Sequence, residues 1–465
     1  MDIHLDLDRN APLRAQLERE LREAIRSGRL RAGYKLPSSR LLADELGVSR
    51  GVVVEAYSQL VAEGYLVARS GDGTRIAEGV AQPPPAARAP DTPRRPIRYD
   101  LSSGVPDLSF FPRRDWRLAT IAALRDLPDA ALAYGSRHGH RRLRVALSDY
   151  LARVRAVVAE DQRVFITAGA TAGMAILWHA LRERGARRIA VEDPAWSAIP
   201  ASVAQCGLEA IPVAVDARGL VVRELEAAGA DAVVLSPAHQ YPTGAVLAPD
   251  RRTELITWAR RHGTLIVEDD YDAEYRFDRE PIASLQGLAP DCVAYVGTAS
   301  KTLAPGLRLG WLLVPGHLVG ETAVAHGVTR AMPSVLAQAA YATMLERGDI
   351  DRHLRRTRRR YDARRSTLVR ELAVSMPAVT VRGASAGLHL IAWLGGDADE
   401  TAIAEEAARC GVAVHTLHQG CAVSRPTPPA LLLGYGLIDE AAIGRAVREL
   451  AAAMATAASG GRLDR

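Results

Sequence analysis

The chain contains few of the residues that stabilise extracellular or metal-bound folds. Its 465 residues include only four cysteines, which form no Cys-x-x-Cys pair and have no histidine at zinc-like spacing. We therefore expect free thiols in a reducing compartment and no metal site. No apolar run is long enough to span a bilayer, and the N-terminus is unlike a signal peptide. These absences predict a cytoplasmic protein with no membrane partner.

Lysine is the scarcest basic residue. Lys35 and Lys301 are the only two, so arginine supplies nearly all the positive charge of a chain whose net charge is +5. A balance this close to neutrality is weak evidence for nucleic acid when taken alone. An apolar content of 48% supports a packed core, and the length suits two or three domains.

A stretch rich in proline and alanine divides the chain. Residues 79–98 have almost no large apolar side chains, and proline favours extended chain, so they predict a linker. It separates a predicted domain at residues 1–78 from a larger one at residues 99–460.

The larger domain alternates two kinds of segment. Short stretches rich in β-branched residues are separated by helical patterns, which is typical of an α/β fold with a mostly parallel sheet. Strands return after a helical region that begins near residue 316, which predicts a small C-terminal α+β subdomain. The predicted strands of the main sheet are Val164–Thr167, Arg188–Val191, Ala210–Val215, Ala232–Leu235, Thr264–Val267 and Val293–Val296.

Residues 36–63 predict two helices joined by a tight turn. Ser38 or Ser39 suits the cap of a short helix, and Gly47 suits the turn. Ser49 suits the cap of a second helix, which begins at Arg50. In a helix-turn-helix, the N-terminal end of the second helix enters the major groove of DNA.

Residues 64–76 predict a β-hairpin with glycines at its tip, where Arg69 and Arg75 are placed to touch phosphate or the minor groove. The pattern LPSSRxLAxxLGVSR followed by AYxxLxxEGYL resembles the winged helix of GntR-type transcription regulators over about residues 11–77. This resemblance implies a double-stranded DNA operator as partner. The predicted DNA-binding residues are Arg40, Ser49, Arg50, Arg69 and Gly71.

The segment around Lys301 has the composition of a pyridoxal phosphate (PLP) site. An apolar stretch at residues 293–296 is followed by small hydroxyl residues, then by Lys301, and seven residues later by Arg308. In such sites a lysine forms the Schiff base, while hydroxyls and a guanidinium hold the phosphate.

Other predicted strand ends carry matching chemistry. Residues 166–173 lead from a strand through glycine into a helix, whose N-terminus suits a phosphate. Trp196 follows a second strand and suits stacking on a pyridine ring. Asp269 and Tyr271 follow a third, where a carboxylate and a phenol suit the ring nitrogen and the ring oxygen. Open α/β sheets bind ligands at such strand ends.

The order of these segments resembles fold-type I aminotransferases of class I over about residues 100–457. The resemblance implies that Lys301 is the Schiff-base lysine, that Asp269 meets the pyridine nitrogen and that Tyr271 meets the ring oxygen. It implies that Trp196 stacks on the ring. Tyr134 matches a family tyrosine that reaches the phosphate of the neighbouring subunit, which implies a homodimer. The implied phosphate cup consists of Ala170, Thr171, Thr298, Ser300 and Arg308.

Two departures from that family bear on function. Tyr241 stands where transaminases usually have asparagine. Leu432 stands where they typically have an arginine that binds the substrate carboxylate through two hydrogen bonds. We therefore expect ordinary amino acids to bind poorly, with aminotransferase activity that is weak at most and no physiological enzyme activity.

The combination of both regions is similar to the MocR subfamily of regulators. It implies a PLP-dependent, DNA-binding transcription regulator that senses PLP or an amine or amino-acid effector through an aldimine at Lys301. Two alternatives stay open at the level of sequence. One is a class I aminotransferase with an accessory DNA-binding module. The other is a regulator whose large domain has lost the cofactor and serves only for dimerisation.

Overall fold

A computed structural model describes residues 7–9, 11–69, 72–78, 96–278, 282–383, 385–396 and 398–460. The chain divides into two compact units, Met1–Arg94 and Arg95–Arg465. Most of the predicted linker, residues 79–95, lies outside the described residues. Within the described ranges, no helix combines the length and the apolar character that a membrane crossing requires.

The first unit is a winged helix-turn-helix, as predicted. Its helices are α1 (Leu13–Arg26), α2 (Ser39–Leu46) and α3 (Arg50–Ala62), and its antiparallel strands are β1 (Leu66–Arg69) and β2 (Gly73–Ile76). Leu17 and Leu21 of α1 are fully buried against the other helices, because apolar side chains four residues apart share one helical face.

Capping sets the turn between α2 and α3. Ser38 accepts a hydrogen bond from the amide of Leu41, and Gly47 ends α2 at φ 64° in the left-handed region. Ser49 occupies the N-cap position of α3, but its side chain makes no capping hydrogen bond. The predicted N-cap position of Ser49 is therefore confirmed, but the side-chain hydrogen bond of a cap is absent, and Ser49 lies on the exposed surface.

The second unit contains many short strands and long helices. Its strands are β3 (Tyr99–Asp100), β4 (Val164–Thr167), β5 (Arg188–Asp193), β6 (Ala195–Trp196), β7 (Glu209–Asp216), β8 (Gly219–Leu220), β9 (Ala232–Leu235), β10 (Leu265–Asp270), β11 (Val293–Thr298), β12 (Gly310–Leu313), β13 (Thr380–Arg382), β14 (His389–Trp393), β15 (Val412–Ala413), β16 (His415–Thr416), β17 (Cys421–Ala422) and β18 (Ala430–Gly434). Its helices are α4 (Arg113–Asp126), α5 (Arg141–Arg155), α6 (Ala170–Glu183), α7 (Ala198–Gln205), α8 (Leu225–Ala228), α9 (Pro249–His262), α10 (Leu285–Leu288), α11 (Val319–Thr329), α12 (Val335–Glu346), α13 (Asp349–Ser375), α14 (Glu400–Arg409), α15 (Leu417–Gly420) and α16 (Glu440–Gly460).

Eight strands form the main sheet, in the order β4-β12-β11-β10-β9-β5-β7-β8. The central run from β11 to β7 is parallel, whereas β12 is antiparallel to both of its neighbours and β8 is antiparallel to β7. Apolar side chains on both faces pack under the helices, which confirms the predicted α/β class. The carboxyl ends of β4, β5, β9, β10 and β11 consequently meet at one edge.

A smaller α+β subdomain follows, as the sequence predicts. Its four-stranded antiparallel sheet has the order β13-β14-β18-β16 and shares an apolar cluster with α13, α14 and α16. The first residue of β14, His389, pairs with Gly434 of β18. His389 and Asp269 of β10 border one cavity, so this end of the subdomain sheet lies beside the edge of the main sheet.

Candidate functional site

A cavity of about 520 Å³ opens at the edge where the parallel strands end. Ligands of open α/β folds bind at this position, and the volume falls within the usual range of small-molecule sites. Nine of the ten predicted cofactor-binding residues line it: Ala170, Thr171, Trp196, Asp269, Tyr271, Thr298, Ser300, Lys301 and Arg308. Among the described residues, no cluster of three or more potential ligands suits a metal ion.

Tyr134 is the predicted residue that this cavity does not include. Its side chain is 92% exposed, and the guanidinium of Arg330 lies 5.2 Å from its ring centroid. A role at the phosphate of a neighbouring subunit therefore stays a prediction.

The Lys301 amino group is held inside the cavity. It donates a hydrogen bond to the carbonyl of Gly104. Burial lowers the pKa of Lys301, and the charges of Asp272 and Asp269 oppose that shift. A lowered pKa increases the fraction of neutral amine, which is the form that attacks a carbonyl carbon.

Asp269 has a buried carboxylate oxygen without a partner. Its Oδ1 makes no hydrogen bond within the described parts of the chain, although the residue is only 8% exposed. Burial, then the charges of Asp270 and Asp272, raise the pKa of Asp269 to about 7. A buried acceptor is stabilised when it meets a donor, and a protonated pyridine nitrogen supplies one. The site therefore fits PLP by the chemistry of its own orphaned oxygen.

The part of the cavity lining formed by the start of α6, the end of β11 and Arg308 suits a phosphate. Gly169, at φ 93°, turns the chain from β4 into the N-terminus of α6, and a Cβ there would lie 3.5 Å from the guanidinium of Arg308. Arg308 donates a 2.6 Å hydrogen bond to the carbonyl of Ala168. The amide of Ser300 donates to the Thr298 hydroxyl over 3.2 Å. Amides at a helix N-terminus, two hydroxyls and one guanidinium thus converge, which is the chemistry that phosphate binding requires.

Trp196 is positioned by a short strand pair. Strand β6 is antiparallel to β17, which places Trp196 opposite Cys421. The indole is 42% exposed within this single chain and borders the cavity. An aromatic face is thus available to a planar ligand, as the stacking prediction requires.

A histidine–aspartate pair that the sequence patterns did not predict lies next to Tyr271. Nδ1 of His239 lies 3.1 Å from Oδ1 of Asp272 and 3.1 Å from the hydroxyl of Tyr271. A Cβ at Gly387 would lie 2.3 Å from Cε1 of His239 and 2.5 Å from Oδ2 of Asp272, so only glycine fits there. Both missed residues follow strands β9 and β10, and the strand-end rule that located Asp269 applies to them equally.

The position of the absent arginine is apolar. Leu432 is fully buried in a cluster with Ile391, Leu417 and Cys421. Tyr241 packs against the same cluster, and its hydroxyl lies 3.2 Å from Oγ of Ser103. Lys301 and Arg308 are the only lysine or arginine side chains among the described residues that line the cavity. Among the described residues, the cavity lining therefore has no further lysine or arginine that could bind a carboxylate.

Four of the five predicted DNA-binding residues are exposed on the first unit: Arg40, Ser49, Arg50 and Arg69. The fifth, Gly71, lies outside the described residues. Arg75 differs from the expectation, because its Nε donates to Asp72 over 2.9 Å and its NH1 donates to the Gly33 carbonyl. Arg75 therefore stabilises the wing through hydrogen bonds within the first unit.

Comparisons with known proteins agree with both units. Residues 13–76 match the bacterial regulatory proteins of the gntR family, and residues 97–432 match aminotransferase class I and II. The HTH-type pyridoxine biosynthesis transcriptional regulator PdxR of Corynebacterium glutamicum is 35% identical over 84% of this chain and 85% of its own. The probable rhizopine catabolism regulatory protein MocR of Rhizobium meliloti is 32% identical over 99% of this chain and 97% of its own.

A solved structure has a similar second unit. The kynurenine aminotransferase of Pyrococcus horikoshii, whose structure includes PMP, superposes with a TM-score of 0.71 at 25% identity. The match covers 78% of this chain and 91% of that one.

Proposed function

Because this chain belongs to the MocR subfamily of GntR-type transcription regulators, we propose that it senses PLP or a small amine at Lys301. Binding at Lys301 then changes the affinity of the protein for operator DNA. The winged helix is the DNA-binding unit, and the aminotransferase-like unit is the sensor. PLP is the cofactor implied by the fold relatives.

In the first unit, the proposed contacts follow from exposure and charge. Arg50 begins α3, the helix that enters the major groove in this class of fold, and Ser49 precedes it with a free hydroxyl. Arg40 on α2 and Arg69 on β1 are exposed cations suited to phosphate contacts. Gly71, which lies outside the described residues, stays a proposed contact on the sequence alone.

In the second unit, we assign Lys301 as the residue that holds the cofactor covalently. The bound cofactor supplies a carbonyl carbon that reacts reversibly with amines. Asp269 would pair with the pyridine nitrogen, Tyr271 would face the ring oxygen and Trp196 would stack on the ring. The phosphate would be held by Ala170, Thr171, Thr298, Ser300 and Arg308, and Tyr134 of a second copy would complete the phosphate site in a homodimer.

One observation carries the choice of sensor over transaminase. The cavity keeps the groups proposed to bind the cofactor, but Leu432, at the position of the carboxylate-binding arginine, lies in an apolar cluster that packs against the lining residue Tyr241. A transaminase must orient successive amino acids and keto acids by their carboxylates, which needs a fixed donor pair. A sensor needs only to bind an effector and change state.

Coupling to DNA requires unequal binding. A ligand shifts operator affinity only if it binds two arrangements of the protein with different free energies. A ligand in the cavity contacts His389 of β14 and His415 of β16 in the small subdomain as well as the main sheet, so it favours one placement of that subdomain. We propose that this placement is what the DNA-binding unit responds to.

The test is operator binding in three states of the full chain. Operator DNA is first selected from a random pool by the purified protein. Its affinity is then measured for the PLP-loaded protein, the cofactor-free protein and Lys301→Ala, with Lys301→Arg as a control that keeps the charge but forms no stable imine. We expect both variants to match the cofactor-free protein and to differ from the loaded one. Equal affinity in all states would reject the coupling.

A further inference from the structure

His389 presents an unused polar atom to the same cavity. It is the first residue of β14, it is 4% exposed, and it lines the cavity. Its Nε2 has no hydrogen-bond partner among the residues that the structure describes. A buried polar atom without a partner is costly, so its position at a cavity wall points to a ligand that satisfies it.

Whether Nε2 donates or accepts a hydrogen bond follows from the contact that the other ring nitrogen, Nδ1, makes. The ring makes a hydrogen bond to the backbone of Pro242, which offers only a carbonyl acceptor. Since Nε2 is the unpartnered nitrogen, Nδ1 carries the proton that this carbonyl accepts. Burial, reinforced by the neighbouring His239, lowers the pKa of His389 to about 3, so the imidazole stays neutral. Nε2 is therefore a hydrogen-bond acceptor.

No donor among the described residues makes a hydrogen bond to Nε2 of His389. The His389 ring centroid lies 5.4 Å from that of His239 and 4.9 Å from that of Tyr241. His239 is already engaged with Asp272, and the Tyr241 hydroxyl is within hydrogen-bond distance of Ser103. The apolar cluster around Leu432 adjoins this wall through Tyr241. The wall thus combines one free acceptor with apolar surface.

We propose that His389 is an effector-binding residue, whose Nε2 accepts a hydrogen bond from a hydroxyl or second amine of a small amine effector. This inference rests on the proposed function, and it narrows the effector class to amines that carry a second donor in place of a carboxylate. An amino acid would bring its carboxylate towards an acceptor and an apolar surface, which is unfavourable on both counts.

The unpaired Nε2 of His389 determines how strongly the site should prefer an amine with a second donor over an amine without one. A site built to hydrogen-bond a hydroxyl rejects an analogue without it, because the buried atom then remains unpaired. We expect the preference for a donor-bearing amine to be about tenfold or more in affinity.

The experiment uses the PLP-loaded full chain and two matched sets of amines. Ethanolamine, 3-aminopropan-1-ol and 4-aminobutan-1-ol are titrated beside ethylamine, propylamine and butylamine, with β-alanine as the carboxylate comparator. Affinity is read by calorimetry and by the visible absorbance of the bound cofactor. We expect at least one amino alcohol to bind about tenfold more tightly than its alkylamine and more tightly than β-alanine.

Two variants assign the effect to the ring. His389→Phe keeps an aromatic ring without the acceptor and is expected to remove the preference. His389→Gln places an amide near the position of Nε2 and is expected to retain part of it. A preference that persists in His389→Phe, or a wild-type protein that binds both sets equally, would overturn the inference while leaving amine sensing intact. If no amine binds the wild-type protein, amine sensing itself fails. The wild-type comparison needs no variant, so equal binding of both sets overturns the inference even if a variant folds poorly.

Discussion

Replacing Asp269 by asparagine should have opposite effects on the cofactor-free and the cofactor-loaded protein. Folding raises the pKa of Asp269 from 3.8 to about 7, first because of burial and then because of the charges of Asp270 and Asp272. A carboxyl with a raised pKa destabilises the native state once the pH exceeds the pKa of the unfolded chain, and the cost stops growing above the folded pKa. Asparagine has no charge to bury.

The size of the stability change follows from the difference between the unfolded and folded pKa values of Asp269. At about 1.36 kcal/mol for each pKa unit, the cost of the ionised carboxylate is roughly 4 kcal/mol at pH 8 and roughly 2 kcal/mol at pH 5.5. Cofactor-free Asp269→Asn should therefore gain about 2 kcal/mol relative to the wild type when the pH is raised from 5.5 to 8. In the loaded protein the carboxylate has a partner, so the same change should weaken PLP binding by at least about tenfold.

The assay is urea unfolding of the full chain followed by tryptophan fluorescence. All six tryptophans lie in the second unit, so the signal reports that unit and is independent of the winged helix. PLP affinity is measured by absorbance on the same samples. A stability difference between variant and wild type that is the same at both pH values would refute the reasoning, as would unchanged PLP affinity.

Three further predictions concern other parts of the chain. Arg50→Ala should reduce the slope of log affinity for operator against log salt concentration by about one, and Arg19→Ala on the exposed face of α1 should leave the slope unchanged. Gly387→Ala should lower the free energy of unfolding more than Gly263→Ala, because both glycines have positive φ but only Gly387 faces His239 and Asp272. For the same reason Gly387→Ala should shift the absorbance of bound PLP. Equal losses of unfolding free energy in the two variants would contradict this. Leu432→Arg should destabilise the second unit by several kcal/mol, whereas Leu432→Met should cost less than about 1.5 kcal/mol; equal costs would contradict the burial of this side chain in an apolar cluster.

The sequence predicted the strands well where apolar residues mark both ends. The bounds of β4 and β9 agree with their predictions, because each strand is wholly apolar up to a polar or turn residue. Strand β10 runs to Asp270 and not to Val267, because Glu268 stays in the ladder and accepts hydrogen bonds from the amides of Leu285 and Gln286, each over 3.0 Å. A buried acidic residue breaks the apolar pattern on which such predictions depend.

Part of the candidate site could be predicted from the sequence because it lies where predicted strands end. Motif residues that follow strands, such as Asp269 and Lys301, were found because topology places all parallel strand ends at one edge. His389 was missed because it belongs to a different sheet and comes to the cavity only through the packing of the small subdomain. Its unpaired Nε2 is a property of the folded structure that no local pattern reports.

The central claim is that Lys301 holds PLP covalently, and the chain offers an unusually clean test of it. The PLP-loaded protein is reduced with borohydride, digested and analysed by mass spectrometry. Lys35, in the first unit and with a side chain that is 54% exposed, is the only other lysine and serves as the internal control. We expect a pyridoxyl group on the peptide that contains Lys301 and none on the peptide that contains Lys35. An unmodified Lys301, or equal labelling of both, would contradict the account.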